Sequence, residues 1–129
     1  EDNRPSFQSP KEVADFVQYE MSILDQEQLR VMLLDTRNRL EKVVNLYQGS
    51  LNASTVRVGE LFKEAIRQNS AAVILIHNHP SGDPSPSPED IAMTRAAVQA
   101  GKLLDVEVLD HIIIGLGKFT SLKEKGLGF

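Results

Sequence analysis

The chain of 129 residues contains no cysteine. That excludes disulfide cross-links and thiolate metal ligands, and with them the Cys-x-x-Cys pair that zinc nucleobase deaminases require. No apolar run of membrane-spanning length or of signal-peptide type is found in these residues, and a cytoplasmic location is the expectation. Positive charge is in short supply. Lys and Arg number 14 against 18 Asp and Glu, a net charge of −4, and the pI is about 5.3. This balance argues against a strong nonspecific grip on phosphate backbones, as does the lack of a helix-turn-helix pattern or basic cluster. No internal repeat is present. What remains, 41% hydrophobic and 25% charged residues, is ordinary for one globular domain long enough to bury a substantial core.

The distinctive stretch is residues 71–90, AAVILIHNHPSGDPSPSPED. An apolar run over 71–76 reads as a central strand buried on both faces, and it ends in His77-Asn78-His79. Residues i and i+2 of a strand share a face, so His77 and His79 can converge on one point. After a loop of Pro, Ser, Gly and Asp, a helix is expected from Ser87. Ser87 would be the N-cap and Pro88 N1, with Glu89 and Asp90 in the first turn. Read alone, Asp90 is a helix-start residue, and a histidine at a strand end is usually a hydrogen-bonded rim residue. Read together, two imidazoles, a carboxylate and an open fourth position describe a catalytic zinc site rather than a closed structural one. A first-turn carboxylate can serve both helix and metal. The letters HNH do not indicate an HNH nuclease, whose named residues are spread over a ββα unit.

Around this stretch, Ser9-Pro10-Lys11-Glu12 forms a capping box, followed by Val13, Phe16, Val17, Met21 and Leu24 at helical spacing. Residues 1–8 read as a disordered stub ahead of a domain over 9–129. Residues 29–35 and 40–48 read as the strands of an antiparallel hairpin around a turn at 36–39. A loop over 49–54 leads to a helix over 58–69 with Leu61, Phe62, Ala65 and Ile66 on one face. The helix over 87–104 is expected to turn Ile91, Val98 and Leu103 or Leu104 inward, with Gly101 ending or loosening it. A buried strand over 106–115, a tight turn at Leu116-Gly117, a short return over 118–120 and a last helical turn from Ser121 complete the chain. This order predicts an α/β fold, a three-layer sandwich in which a mixed sheet carries helices on both faces.

His77, His79, Ser87 and Asp90, in the pattern His-x-His-x7-Ser-x2-Asp, resemble the JAMM motif of MPN+ zinc metallopeptidases. The flanking HNHPSGDPSPSPED and LLDVEVLDHIIIG are similar, more specifically, to the bacterial RadC family, whose members carry the label DNA repair protein. The likeness runs from about Ser9 to Phe129. It implies an MPN/JAB, cytidine-deaminase-like fold and the C-terminal domain of a longer protein whose N-terminal region resembles helix-hairpin-helix modules. It implies Zn2+ held by His77, His79 and Asp90, with the Ser87 hydroxyl donating to a developing oxyanion. It also implies a general base, a glutamate at the start of an early strand. By spacing alone Glu27 is a solvated acid at a helix–strand junction. The resemblance makes it that base, with Glu20, inside the first expected helix, as the competitor. RadC-like chains also carry the pair Asp110-His111. On its own His111 reads as a buried residue bonded to backbone, with a supporting role behind a metal-bound imidazole as the secondary reading.

The function these features imply is that of a JAMM-type zinc metallopeptidase. It would hydrolyse a peptide or isopeptide bond of a protein or peptide substrate with a zinc-activated water. Asn78 stands where many deubiquitinating members have Ser or Thr, and no long ubiquitin-cradling insertion is evident, so ubiquitin is not carried over as substrate. The alternative is a DNA-repair-associated binding or scaffold domain without turnover. No membrane partner and no strong nucleic-acid binding by this domain are expected, and a homo-oligomer is left open.

Overall fold

The computed structural model describes residues 2–49 and 56–129. The elements are α1 (Pro10–Ser22), β1 (Gln28–Leu34), β2 (Leu40–Gln48), α2 (Val58–Gln68), β3 (Ala72–Asn78), α3 (Pro88–Leu104), β4 (Glu107–Ile114) and β5 (Phe119–Ser121). They form one five-stranded sheet in the order β2-β1-β3-β4-β5. β3 and β4 run parallel, joined through α3, and the other pairs are antiparallel. Each helix and strand expected from the sequence is present, with ends shifted by one or two residues. After Ser121 the chain runs through turns over 122–126. The loop expected over 49–54 lies, after Gly49, outside the described residues. No helix among the described residues is long and apolar enough to cross a membrane.

Strand alternation divides the core in two. Met32, Leu34, Ala72, Ile74, Ile76, Ile112 and Ile114 face α1, packing on Val13, Ala14, Val17 and Met21. Leu29, Val31, Leu33, Val73 and Leu75 face the other way, against Leu61, Phe62 and Ala65 of α2 and Ala97 of α3. Helices therefore cover both faces of a mixed sheet, and the three-layer α/β sandwich is borne out. The same alternation turns His77 to the α2/α3 side. The functional site is built on that face.

Four expectations are corrected. Residues 2–8 are not a disordered stub. Ser6 pairs with Arg39 in an antiparallel bridge, and Pro5 O and Asn38 O accept from Leu40 N and Phe7 N. Phe7 is 6% exposed in the α1-side core, its ring edge-on to Phe16 at 5.4 Å. A lone aromatic side chain in a polar segment carries no periodic signal, yet its burial orders the segment. The inward face of α3 also differs from the one expected: Val98 does pack, partly buried, against the core, but the fully buried residues are Thr94, Ala97 and Gly101, while Leu103 is 87% exposed. Likewise Ile66, expected on the packed face of α2, is 55% exposed.

Small residues face inward on α3 because the helix lies very close to the sheet. Gly101 does not end or loosen it. A Cβ there would stand 2.4 Å from Val106 O and 3.2 Å from the Val108 side chain. Replacing Gly101 with alanine is expected to destabilise the domain by about 1–3 kcal/mol through overpacking, even though alanine is the better helix former by up to about 1 kcal/mol. Urea melts read the difference, and an unchanged midpoint would mean that the helix end yields without cost.

Candidate metal centre

His77 is the sixth residue of β3 and points beneath α3. His79 lies beyond the strand end, where its N–H donates to Ile114 O at 2.9 Å and so prolongs the pairing with β4. Asp90 is in the first turn of α3. Its Oδ2 accepts from Ser87 N at 2.8 Å while Ser87 Oγ accepts from Asp90 N at 3.1 Å, the reciprocal capping box. The box fixes the carboxylate so that it faces the strand end. The loop between is drawn back over β4. Gly82 O accepts from Leu116 N at 2.9 Å, and Gly115 must be glycine there, because a Cβ would meet Gly82 O at 2.4 Å.

These constraints bring three donor atoms together. His77 Nε2 and His79 Nε2 are 3.0 Å apart. Asp90 Oδ1 is 3.2 Å from His77 Nε2, and Asp90 Oδ2 is 3.3 Å from His79 Nε2. Among the described residues this is the group of His, Asp and Glu side chains whose ligand atoms converge in the way a metal ion needs. The donor set fits zinc. With ligand distances of about 2.0–2.1 Å, the edge of a tetrahedral site is about 3.3 Å, and three protein donors leave a fourth position open. His79 Nδ1 lies 2.9 Å from the carbonyl of Asp83. A carbonyl only accepts, so Nδ1 carries the proton and a neutral His79 presents the Nε2 lone pair to the other two donors.

The electrostatics reflect the crowding. The Asp90 carboxylate beside Nε2 favours the protonated ring and so raises His79 above the usual imidazole value, opposed by burial and helped by the Asp83 carbonyl and the charge of Glu27. Burial works to raise Asp90, but the adjoining imidazoles of His77 and His79 outweigh it and hold the carboxyl well below the ordinary carboxylate range. His111 sits behind His77, with Nε2 2.7 Å from His77 Nδ1. Burial, then the neighbouring His77, keep His111 far below its usual value and hence neutral.

The three donors open into a cavity of about 480 Å³ that Glu27, Ser87, Glu89, Val56 and Met93 also line. Glu27 is thus brought to the triad, whereas Glu20 is not. Glu20 lies on the exposed side of α1, paired with Arg30 at 2.6 Å. Asn78 was not singled out from the sequence for what it does here. Its Oδ1 accepts from Gln28 N at 2.7 Å and its Nδ2 donates to Gln26 O at 3.0 Å. One carboxamide therefore brackets Glu27 from both sides and ties it to the end of β3. Of the pair Asp110-His111, only His111 touches the site, through His77 Nδ1. Asp110 faces the α1 layer, bonded to Ser121 Oγ at 2.6 Å and to the N–H groups of His111 and Lys123. Burial raises its carboxyl against those three bonds.

Fold and site together define a class: an α/β sandwich with a His–His–Asp cluster that could hold a metal ion, set between the end of a central strand and the start of the following helix. Residues 7–127 match the family model described as the RadC-like JAB domain. The chain belongs to that family. It is 59% identical over 128 residues to a UPF0758 protein of Roseiflexus castenholzii, covering 99% of this chain and 55% of that one. A UPF0758 protein of Chloroflexus aurantiacus is also 59% identical, with 99% and 56% covered. One from Desulfitobacterium hafniense is 52% identical over 124 residues, with 96% and 55% covered. The chain thus spans about half the length of the curated relatives it matches.

Proposed function

We propose that this cavity hydrolyses a peptide or isopeptide bond, with a zinc ion held by His77, His79 and Asp90. One observation carries the reading: the two imidazole Nε2 atoms lie 3.0 Å apart, and each is within 3.2–3.3 Å of one of the two Asp90 carboxylate oxygens, in the same cavity that Glu27 and Ser87 line. When bound, zinc supplies Lewis-acid activation of water and of the scissile carbonyl. Glu27 accepts a proton from the attacking water and returns it to the leaving amine. Asn78 holds the Glu27 segment in place for that transfer. Ser87 Oγ accepts from Asp90 N, which leaves its own O–H proton to donate to the carbonyl oxygen as negative charge develops there. Capping and oxyanion stabilisation thus use different valences of one hydroxyl and do not compete.

The test is metal content by elemental analysis beside a screen of peptide and isopeptide substrates, on this domain and on the longer protein. Zinc near one equivalent with metal-dependent turnover supports the proposal. A zinc-loaded protein inert on every amide substrate would favour the scaffold reading.

The alternative as a DNA-repair-associated binding domain makes a different prediction. With a net charge of −4, this domain is expected to bind duplex DNA weakly or not at all at physiological salt. Filter binding across a salt series measures it. A submicromolar, salt-sensitive dissociation constant would raise the DNA-binding reading above the peptidase one.

A further inference from the structure

Behind the donor triad lies a chain of contacts that the proposed chemistry does not use. Thr94 is buried on the inner face of α3, one turn after Asp90. Its Oγ1 donates to Asp90 O at 2.7 Å and lies 2.6 Å from His111 Nδ1. His111 Nε2 in turn lies 2.7 Å from His77 Nδ1. The chain closes on itself, because His77 Nε2 faces Asp90 Oδ1 at 3.2 Å. Two candidate metal ligands are thus joined through two residues that cannot themselves reach the cavity.

Proton positions around this ring follow from counting donors. A threonine hydroxyl has one proton, and the Asp90 carbonyl can only accept, so that proton is spent on Asp90 O. Thr94 Oγ1 must then accept from His111 Nδ1–H. Neutral His111 is left with a lone pair on Nε2, which accepts from His77 Nδ1–H. His77 therefore carries its proton on the nitrogen away from the cavity, and its Nε2 lone pair faces His79 and Asp90. Were Thr94 Oγ1 to donate to His111 instead, every proton in the relay would reverse and His77 Nε2–H would block the donor position.

His111 reaches this place through a break in strand alternation. β4 pairs in register with β3 at Val73↔Val108, then shifts so that Ile74 meets Asp110 and Leu75 meets His111. The extra residue, Leu109, is a bulge that reverses the facing of the residues after it. Regular alternation from the inward Val108 would put His111 on the α1 side. Asp110 secures the bulge by accepting from His111 N at 2.7 Å.

We propose that Thr94 and His111 are positioning residues of the metal centre, which together hold His77 in the tautomer that presents Nε2 to the metal. This rests on reading the triad as a metal site, but its primary test needs no metal. Long-range ¹H–¹⁵N correlation spectra of the metal-free, histidine-labelled protein report which ring nitrogen of His77 is protonated. The expected result is Nδ1–H in the parent chain. Thr94→Val removes the acceptor for His111, so His77 is expected to populate the Nε2–H form, and zinc affinity to fall by roughly 10–100-fold, as when outer partners of a ligand are lost. Thr94→Ser keeps the hydroxyl and should restore both. An Nε2–H tautomer of His77 in the parent protein overturns the proposal whatever the variants do. So does a Thr94→Val protein with unchanged His77 tautomer and zinc affinity, or a Thr94→Ser protein that behaves like the valine. If the tautomers are as stated but the parent protein takes up no zinc, the metal reading fails and the positioning of His77 by Thr94 and His111 stands.

Discussion

Replacing His79 with alanine should abolish zinc binding and hydrolysis together. His79 supplies one of the three converging donors, at 3.0 Å from His77 Nε2; the chain has no cysteine to replace it, and its third histidine, His111, is buried behind His77 with both ring nitrogens engaged. Two remaining donors cannot complete the three-ligand set of a catalytic zinc site. The loss of affinity should exceed the ~10–100-fold typical of losing a partner behind a ligand. Folding should be affected less. His79 lies just beyond β3, partly exposed, and the substitution removes one side-chain hydrogen bond, to the Asp83 carbonyl, worth about 0.5–1.5 kcal/mol. Elemental analysis and a zinc titration, run beside a thermal melt, separate the two effects. A folded His79→Ala protein that keeps parental zinc affinity would remove His79 from the ligand set.

Glu27→Gln should do the opposite: leave zinc content unchanged and reduce hydrolysis by roughly 10²–10⁴, the usual contribution of general acid–base catalysis. Glutamine preserves shape and cavity lining but cannot take up a proton. Glu27 is not among the converging donors, although it lines their cavity, and the Asn78 clamp on its flanking backbone groups is indifferent to the substitution. Loss of zinc from the glutamine variant would make Glu27 a ligand or a structural residue. Full activity would place the base elsewhere. Glu20, tied to Arg30 on the α1 side of the sheet, is a poor successor, so the mechanism itself would then need revision.

How much of this could be read from the sequence depends on how local each signal is. His77 and His79 were legible because a strand has period two, and Ser87 and Asp90 because helix starts have a fixed chemistry. Both patterns act within a few residues, and the structure adds only that their two ends meet. Glu27 was legible through resemblance alone. Nothing in Glu27-Gln28-Leu29 distinguishes it from a surface acid, since what places it is an asparagine side chain about fifty residues along the chain. His111 was half legible. The bulge at Leu109 inverts the face on which it lies, and no alternation rule foresees an extra residue. Thr94 gave no signal, because a threonine within a helix is unremarkable until its i−4 carbonyl and a histidine on another strand are both in view. The inward face of α3 was misjudged for a related reason. Close helix–sheet approach selects small residues, and a search for large apolar side chains finds Leu103 and Leu104 at the exposed end instead.

The central claim is that His77, His79 and Asp90 form a zinc site. It is tested most directly by X-ray absorption at the zinc edge on the protein loaded with one equivalent of zinc. The account predicts four or five nitrogen and oxygen ligands at about 2.0–2.1 Å, with the outer-shell scattering of two imidazoles. Failure to retain zinc through desalting, or a six-coordinate spectrum without imidazole scattering, would contradict it.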